Sequence, residues 1–210
     1  MATTPDSTKR AYQRTEQRQS ATIEAVVHLC GEQDPSTLTT NRIAQKVGVS
    51  QGALFKHFPN KSSLWESVAG WVAGQLTTRV FSVADQHEEA DKALEAMFLA
   101  HIGFIARHPG IPRLMLGELQ KPGNQPAKRI IRQTLAFYRQ KIVALLHLGI
   151  EQKCISPTID TEAAAVLYIG AIQGLVVQAM VGGDIMSIEE SAPRIFKLYS
   201  ASIRASDDGE

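Results

Sequence analysis

Apolar residues recur along this chain every three or four positions. Ile23, Val26, Val27 and Cys30 form one stripe, and Leu64, Val68, Val72 and Leu76 form another. Leu94, Met97, Phe98, His101 and Ile105 make a third, closed by Pro109-Gly110. Ile131, Leu135, Tyr138, Ile142 and Leu145 make a fourth, between Pro126 and about Gln152. This is the 3.6-residue rhythm of amphipathic helices. Apolar residues alternating in twos between Asn-Gly or Asp-Gly turns are missing, so the pattern predicts an all-α fold. "SPTID" interrupts the chain after the fourth stripe, and Asp160 is placed to cap a helix beginning at Thr161. Gly182-Gly183 should end that helix, and a last one is expected from Ser187 to Ile203, before the polar tail "SDDGE".

Between the first two stripes lies "IAQKVGVSQGALFKHF", residues 43–58, where the rhythm breaks and restarts within a few residues. Thr39 sits where an N-cap belongs, ahead of a helix expected over Thr40 to Lys46, with Ile43, Ala44 and Val47 facing inward. Gly48 supplies a left-handed turn residue, Val49 plugs the turn, and Ser50 caps a second helix from Gln51 to about His57, anchored by Leu54. These are the packing needs of a helix-turn-helix, whose second helix exposes an N-terminal end that fits a major groove. A plain helical hairpin shares the spacing, and periodicity alone does not separate the two.

The flanking residues do. "LTTNRIAQKVGVSQGALFKHFPNKSSL" resembles the head of the TetR family of transcriptional regulators: Thr39, Ile43, Ala44, Gly48, Val49, Ser50, Gly52, Leu54, His57, Phe58, Lys61 and Leu64 match its pattern in register. The resemblance covers roughly residues 18–65. Two departures stand out. Phe55 occupies a position where the family usually has tyrosine, so a hydroxyl able to touch phosphate is absent. Asp34-Pro35 stands where a glycine usually ends the first helix. The resemblance implies a basic flexible arm over residues 1–17, a helix-turn-helix DNA-binding domain over 18–62, and a helical ligand-binding and dimerisation domain over 63–210. It implies a sequence-specific transcriptional regulator, a repressor released from a palindromic operator by a small molecule.

Roles are expected residue by residue. Gln51 is the candidate for direct base reading, since its amide pairs bidentately with adenine. Gly52 and Ala53 let the helix end approach the groove, and Ala53 suits a thymine methyl. Ser50 and Thr39 act as caps at this surface. Thr40, Arg42 and Lys46 are placed to reach phosphates from the first helix, and Lys56 and His57 from the second. Asn60 caps a helix that opens with Lys61, so a helix N-terminus and an ammonium meet one phosphate. Phe55 and Phe58 are expected in the core. Lys9, Arg10, Arg14 and Arg18 are candidates for an arm in a neighbouring groove; the first two are expected in a solvated tail without DNA.

The remaining helices should dimerise and sense. The helix from Thr161 to Val181 is apolar on nearly every side, and such a helix must be buried all round. A body this small does not cover it alone, so a partner copy is expected. Ala163, Leu167, Gly170, Gly174, Val177, Val181, Ile195 and Leu198 are the candidate interface. The resemblance implies the same homodimer, with a two-fold axis matching a palindromic double-stranded operator. Candidates for a small-molecule effector site are His101, Tyr138, His147, Tyr168 and Gln173, with Trp71, Met97, Phe98, Phe104 and Met115 as lining. Each also reads as an ordinary core or interface residue.

Composition narrows the alternatives. Residues 1–61 hold eight Lys/Arg against five Asp/Glu, and residues 62–210 hold fourteen against sixteen, a basic head on a slightly acidic body. That bias suits an anionic partner at one end. Cys30 and Cys154 lie far apart and read as free, buried thiols of a cytosolic protein. The polar N-terminus has no apolar signal region, and Ala163–Gly182, with Gln173 and Gln178, reads as a buried helix rather than a membrane span. A cytoplasmic protein, nucleoid-associated when bound to DNA, is expected. His101 and His108 lie off chelating spacing, so no metal and no cofactor are expected. Rival readings are a helical-bundle enzyme or a protein-binding adaptor without sequence-specific DNA binding. No Walker A, G-x-S-x-G, H-E-x-x-H or G-x-G-x-x-G motif supports the enzyme.

Overall fold

The computed structural model describes residues 5–205, with side chains from residue 18 onward. Helices α1 (Pro5–Glu32), α2 (Thr40–Val47), α3 (Gln51–His57) and α4 (Lys61–Gln75) come first. A π-helical turn, Leu76–Phe81, and a short helical turn α5, Ser82–Ala84, follow. Then come α6 (Ala90–Arg107), α7 (Gly110–Gln120), α8 (Pro126–Glu151), α9 (Thr161–Gly182) and α10 (Ser187–Ile203). The described residues form no strand; Ile155 and Arg204 make one isolated antiparallel bridge.

The caps account for several boundaries. Thr39 accepts from the backbone N–H of Arg42, and Ser50 from that of Ala53, as their positions predict. Asp160 accepts from the N–H groups of Glu162 and Ala163 and opens α9, which ends at left-handed Gly183. Asn60 and Ser63 cap α4 reciprocally: the Ser63 N–H donates to Asn60 Oδ1 at 2.8 Å, and the Asn60 N–H to Ser63 Oγ at 3.2 Å.

The chain divides into two compact units, and not at the expected boundary between residues 62 and 63. One unit takes the helices through Trp71 together with His108–Ile130; the other takes Val72–Arg107 and the chain from Ile131. The boundaries fall inside α4, between α6 and α7, and inside α8. The expected arm is also redrawn: α1 starts at Pro5, so residues 5–17 continue the helix. This stretch has good helix formers and no internal breaker. Residues 1–4 and the side chains of Lys9, Arg10 and Arg14 lie outside what is described.

In the first unit, α7 packs on α1. Pro109-Gly110 stops the third stripe as the pattern expects, α6 ending at Arg107, and Gly110 also opens α7, which the pattern does not show, with Pro112 in its first turn. Proline is tolerated there because those N–H groups have no partner within a helix. Gly110 is required by proximity: a Cβ on it would lie 1.8 Å from the Val27 carbonyl oxygen and 2.7 Å from the Gly31 nitrogen. Arg113 adds a hydrogen bond to the Gly31 carbonyl at 2.9 Å. Cys30 is buried at the same contact, and burial pushes its thiol up to about 12, leaving it protonated and unreactive. Cys154 is free and half-buried rather than buried.

In the second unit, α10 packs on α6 and α9. Hydroxyl bonds cluster at the π-turn. The Thr77 and Thr78 hydroxyls donate to the carbonyls of Ala73 and Gly74, and that of Ser82 to Thr78, so side chains occupy carbonyls four residues back where the backbone ladder widens. Leu76, Val80 and Phe81 are buried by this turn. Leu135 departs from its expected stripe and is 43% exposed.

Gly110→Ala should lower the melting temperature by several degrees, since overpacking of this kind costs about 1–3 kcal/mol or more. Gly70→Ala, whose Cβ meets nothing within 4 Å, should instead stabilise by about 0.5–1 kcal/mol through helix propensity. Paired thermal melts check both; equal midpoints for the two variants would count against the α1–α7 contact.

Candidate nucleic-acid interface

The first unit builds one polar surface from α2 and α3. Ile43 and Ala44 of α2 and Leu54 of α3 are buried and fix how the two helices pack. Gly48, at φ 75° and ψ 31°, makes the turn. Its N–H donates to the Gln45 carbonyl at 3.1 Å, and that of Val49 to the Ala44 carbonyl at 2.9 Å. Val47 is half-buried, and Val49, expected to plug the turn, is 38% exposed. Two residues are too few to double back and bury a side chain as well.

The exposed rim holds Thr39, Arg42, Lys46, Ser50, Gln51, Gly52 and Lys56, with Thr40, Ala53 and His57 half-buried. Lys46 faces Glu32 at 3.9 Å. Phe58 is buried as expected, but Phe55 is 39% exposed and belongs to the surface. Gln51 donates through Nε2 to the Thr40 hydroxyl at 2.7 Å, a bond between the first residues of α2 and α3 that sequence spacing does not reveal.

Lys61, expected on a phosphate, makes contacts within its own unit. Its ammonium donates to the carbonyls of Ser36 at 3.2 Å and Pro35 at 3.5 Å and lies 5.5 Å from the centre of the Trp65 ring. Desolvation, and then the charge of Lys121, lowers its pKa. Lys121 itself pairs with the buried carboxylate of Glu118. The turn that Lys61 grips is the Asp34-Pro35 departure. Asp34 accepts from the backbone N–H and the hydroxyl of Ser36, and these bonds hold its carboxyl below the usual range. With its side chain closing the turn, no glycine is needed there.

The effector candidates fall into both units. Trp71 and Met115 belong to the first, where Trp71 meets His108 edge-on at 5.6 Å. Met97, Phe98, Phe104, Tyr138 and Tyr168 are buried in the second, with His101 half-buried beside them. His101 Nδ1 lies 3.0 Å from the Tyr138 hydroxyl, Phe81 stacks on Tyr138 at 5.1 Å, and Tyr168 donates to the Leu94 carbonyl at 2.8 Å. Desolvation pulls His101 down to about 4, so it is neutral at neutral pH, and pushes the Tyr138, Tyr168 and Tyr199 hydroxyls up. His147 and Gln173 are exposed and stand apart from this cluster. Tyr199, which the sequence does not single out, packs edge-on to Tyr168 at 5.3 Å. Its hydroxyl is buried without a hydrogen-bond partner among the described residues, as is Gln75 Oε1.

The candidate interface residues on α9 and α10 form a largely uncovered face. Leu167, Val177, Val181 and Leu198 are exposed, as are Ala163 and Gly170, while Gly174 and Ile195 line a shallow groove with Ala171, Gln178 and Arg194. The helix expected to be buried all round is thus buried along one side only. Thr161–Gly182 is also long and apolar enough to cross a membrane, at a mean hydropathy of 1.9.

Residues 23–68 match the model of the bacterial regulatory proteins of the tetR family. The nucleoid occlusion factor SlmA of Pectobacterium carotovorum subsp. carotovorum (strain PC1) is 32% identical over 144 residues, 64% of this chain and 70% of the relative. Among solved structures, the transcriptional regulator FadR from Bacillus subtilis in complex with stearoyl-CoA superposes with a TM-score of 0.76. It is 20% identical, over 88% of this chain and 99% of that one. The ketosteroid transcriptional regulator KstR2 of Mycobacterium tuberculosis gives 0.75 at 20% identity, over 90% and 96%. The matched segment is the one that carries the two caps, the left-handed glycine and the exposed start of α3, and the chain belongs to the TetR family of bacterial regulatory proteins.

Proposed function

We propose that this protein is a ligand-responsive transcriptional regulator that binds a palindromic DNA operator as a homodimer and is released from it by a small molecule. The observation that carries the reading is the capped turn of α2 and α3, with Gln51-Gly52-Ala53 standing exposed at its outer end. Gln51 reads a base edge, Gly52 and Ala53 allow close approach, and Arg42, Lys56 and His57 supply phosphate contacts. Lys61 serves the fold of this surface through its bonds to Pro35 and Ser36. The protein works in the cytoplasm, on the nucleoid when DNA-bound, and we assign it no catalytic step.

The effector site we place in the aromatic cluster of the second unit. Its polar groups are His101, Tyr138, Tyr168 and Tyr199, and the buried charged residue of the described chain, Glu118, lies in the other unit. An uncharged effector with an aromatic or alicyclic body and a hydrogen-bond acceptor fits these groups, the acceptor meeting the unpartnered Tyr199 hydroxyl. α4 is one uninterrupted helix from Lys61 to Gln75 and is the proposed link to the DNA-binding surface.

Similarity to a nucleoid occlusion factor favours a second reading, in which the DNA-bound protein acts along the chromosome rather than at one promoter. Selecting bound fragments from the host genome separates the two. A regulator recovers a palindrome upstream of a few genes; a chromosome-wide factor recovers many dispersed sites. Recovery with no common sequence would sink both.

Four variants test the parts. A Cβ at Gly174 meets nothing within 4 Å, so Gly174→Arg should leave the subunit folded. It should yield a monomer without operator affinity, as read by light scattering; an intact dimer would move the interface elsewhere. Lys56→Ala should weaken all DNA sequences alike and reduce the salt-dependence slope by about one, whereas Lys61→Ala should chiefly lower the melting temperature and leave that slope unchanged. Tyr199→Phe removes an unsatisfied buried hydroxyl, so the effector-free protein should gain up to about 1 kcal/mol of stability while effector affinity falls. Calorimetry finding both unchanged would remove Tyr199 from the site.

A further inference from the structure

Two adjacent threonines open α2, and the structure gives them different work. The Thr39 hydroxyl is engaged as the cap, accepting from the Arg42 N–H at 3.2 Å. That of Thr40 points across the turn and accepts from Gln51 Nε2 at 2.7 Å. The Ser50 hydroxyl, the other small polar group beside Gln51, is occupied by the Ala53 N–H at 3.2 Å. Gln51 is thus tethered at one atom of its amide, Nε2, by an exposed hydrogen bond.

Which atom is tethered matters for base reading. A glutamine amide offers an oxygen acceptor and two N–H donors. With one N–H committed to Thr40, Oε1 and a single N–H remain. Adenine shows the major groove one donor and one acceptor, N6–H and N7, and matches that pair. Guanine shows two acceptors, O6 and N7, and suits an amide turned to present its NH2. The tether also orders a side chain with three rotors before DNA arrives.

We infer that Thr40 is a specificity-determining positioning residue: by holding Gln51 at Nε2 it leaves Oε1 and one N–H for the groove, so that Gln51 prefers adenine to guanine. Thr40 acts through Gln51 and not by touching a phosphate. This rests on Gln51 being a base reader, as proposed above.

Binding-site selection on the full-length protein tests it, followed by affinities for operators with adenine or guanine at the selected position. Wild type should prefer adenine at one position per half-site by about tenfold or more, within the range of a good bidentate pair. Gln51→Ala should abolish that preference. Thr40→Val, which keeps the branched shape and loses the hydroxyl, should bring the adenine-to-guanine ratio to within about twofold at that position, with the rest of the selected sequence unchanged. Thr40→Ser should restore it. A ratio unchanged in Thr40→Val, while Gln51→Ala abolishes it, overturns the positioning role alone. Equal loss by Thr40→Val on every sequence assigns Thr40 to a phosphate and overturns it too. An unchanged preference in Gln51→Ala removes the base reader and, with it, anything for Thr40 to position.

Discussion

The DNA-facing surface depends on the backbone of Gly48. At φ 75° the chain turns within two residues, and the Gly48 and Val49 N–H groups close onto the last turn of α2. A residue with a Cβ is strained in this conformation, although the space beside Gly48 is open, so the requirement is conformational rather than steric crowding by neighbours. Once the turn is set, everything else at the surface follows from it. Ser50 falls at the N-cap of α3, Leu54 comes under Ile43 and Ala44 in the core, and Gln51 arrives within hydrogen-bond distance of Thr40.

A second constraint supports the first from beneath. The α1–α2 connection is closed by Asp34 onto Ser36, and its outward carbonyls at Pro35 and Ser36 are gripped by Lys61 at the start of α4. An ammonium satisfying two carbonyls beside a tryptophan face is partly desolvated, and its lowered pKa reflects that. Its ammonium thus ties the start of α4 to this connection. The Gly110 contact of α7 on α1 fixes the other flank of the same unit.

Much of this was legible in the sequence, for a definable reason. Caps and left-handed residues are local chemistry: Thr39, Ser50, Asn60, Asp160, Gly48 and Gly183 act where their side chains and neighbours predict. Failures came where a neighbour distant in sequence decides. Lys61 reads as a surface cation, and its bonds to the carbonyls of Pro35 and Ser36 are not visible in the sequence. Pro109-Gly110 does stop α6, but that Gly110 opens α7 and is small because α1 passes against it is not local information. Leu135 continues a stripe, but nothing described covers it, and Tyr199 shows its interest only as a buried hydroxyl without a partner. The π-turn had a local signal that periodicity hides: Thr77, Thr78 and Ser82 lie at spacings where hydroxyls take the carbonyls four residues back.

Helix α9 serves both the fold of the subunit and its assembly. By composition it passes for a membrane span, yet 39% of its most apolar window is buried against its own chain, where Ala165, Tyr168, Ile172 and Val176 form the covered side. A lipid-facing helix has no use for a tyrosine hydroxyl bonded to the Leu94 carbonyl; a core helix does. The uncovered side carries Leu167, Gly170, Gly174, Val177 and Val181 at spacings of three and four, one stripe along the helix, continued by Leu198 on α10. A single stripe interrupted by glycines matches the flat, close approach of another helix pair better than lipid on all sides. Covering it with a second copy gives the same surface to both partners, which is the two-fold symmetry that a pair of recognition helices needs to read the two halves of a palindrome.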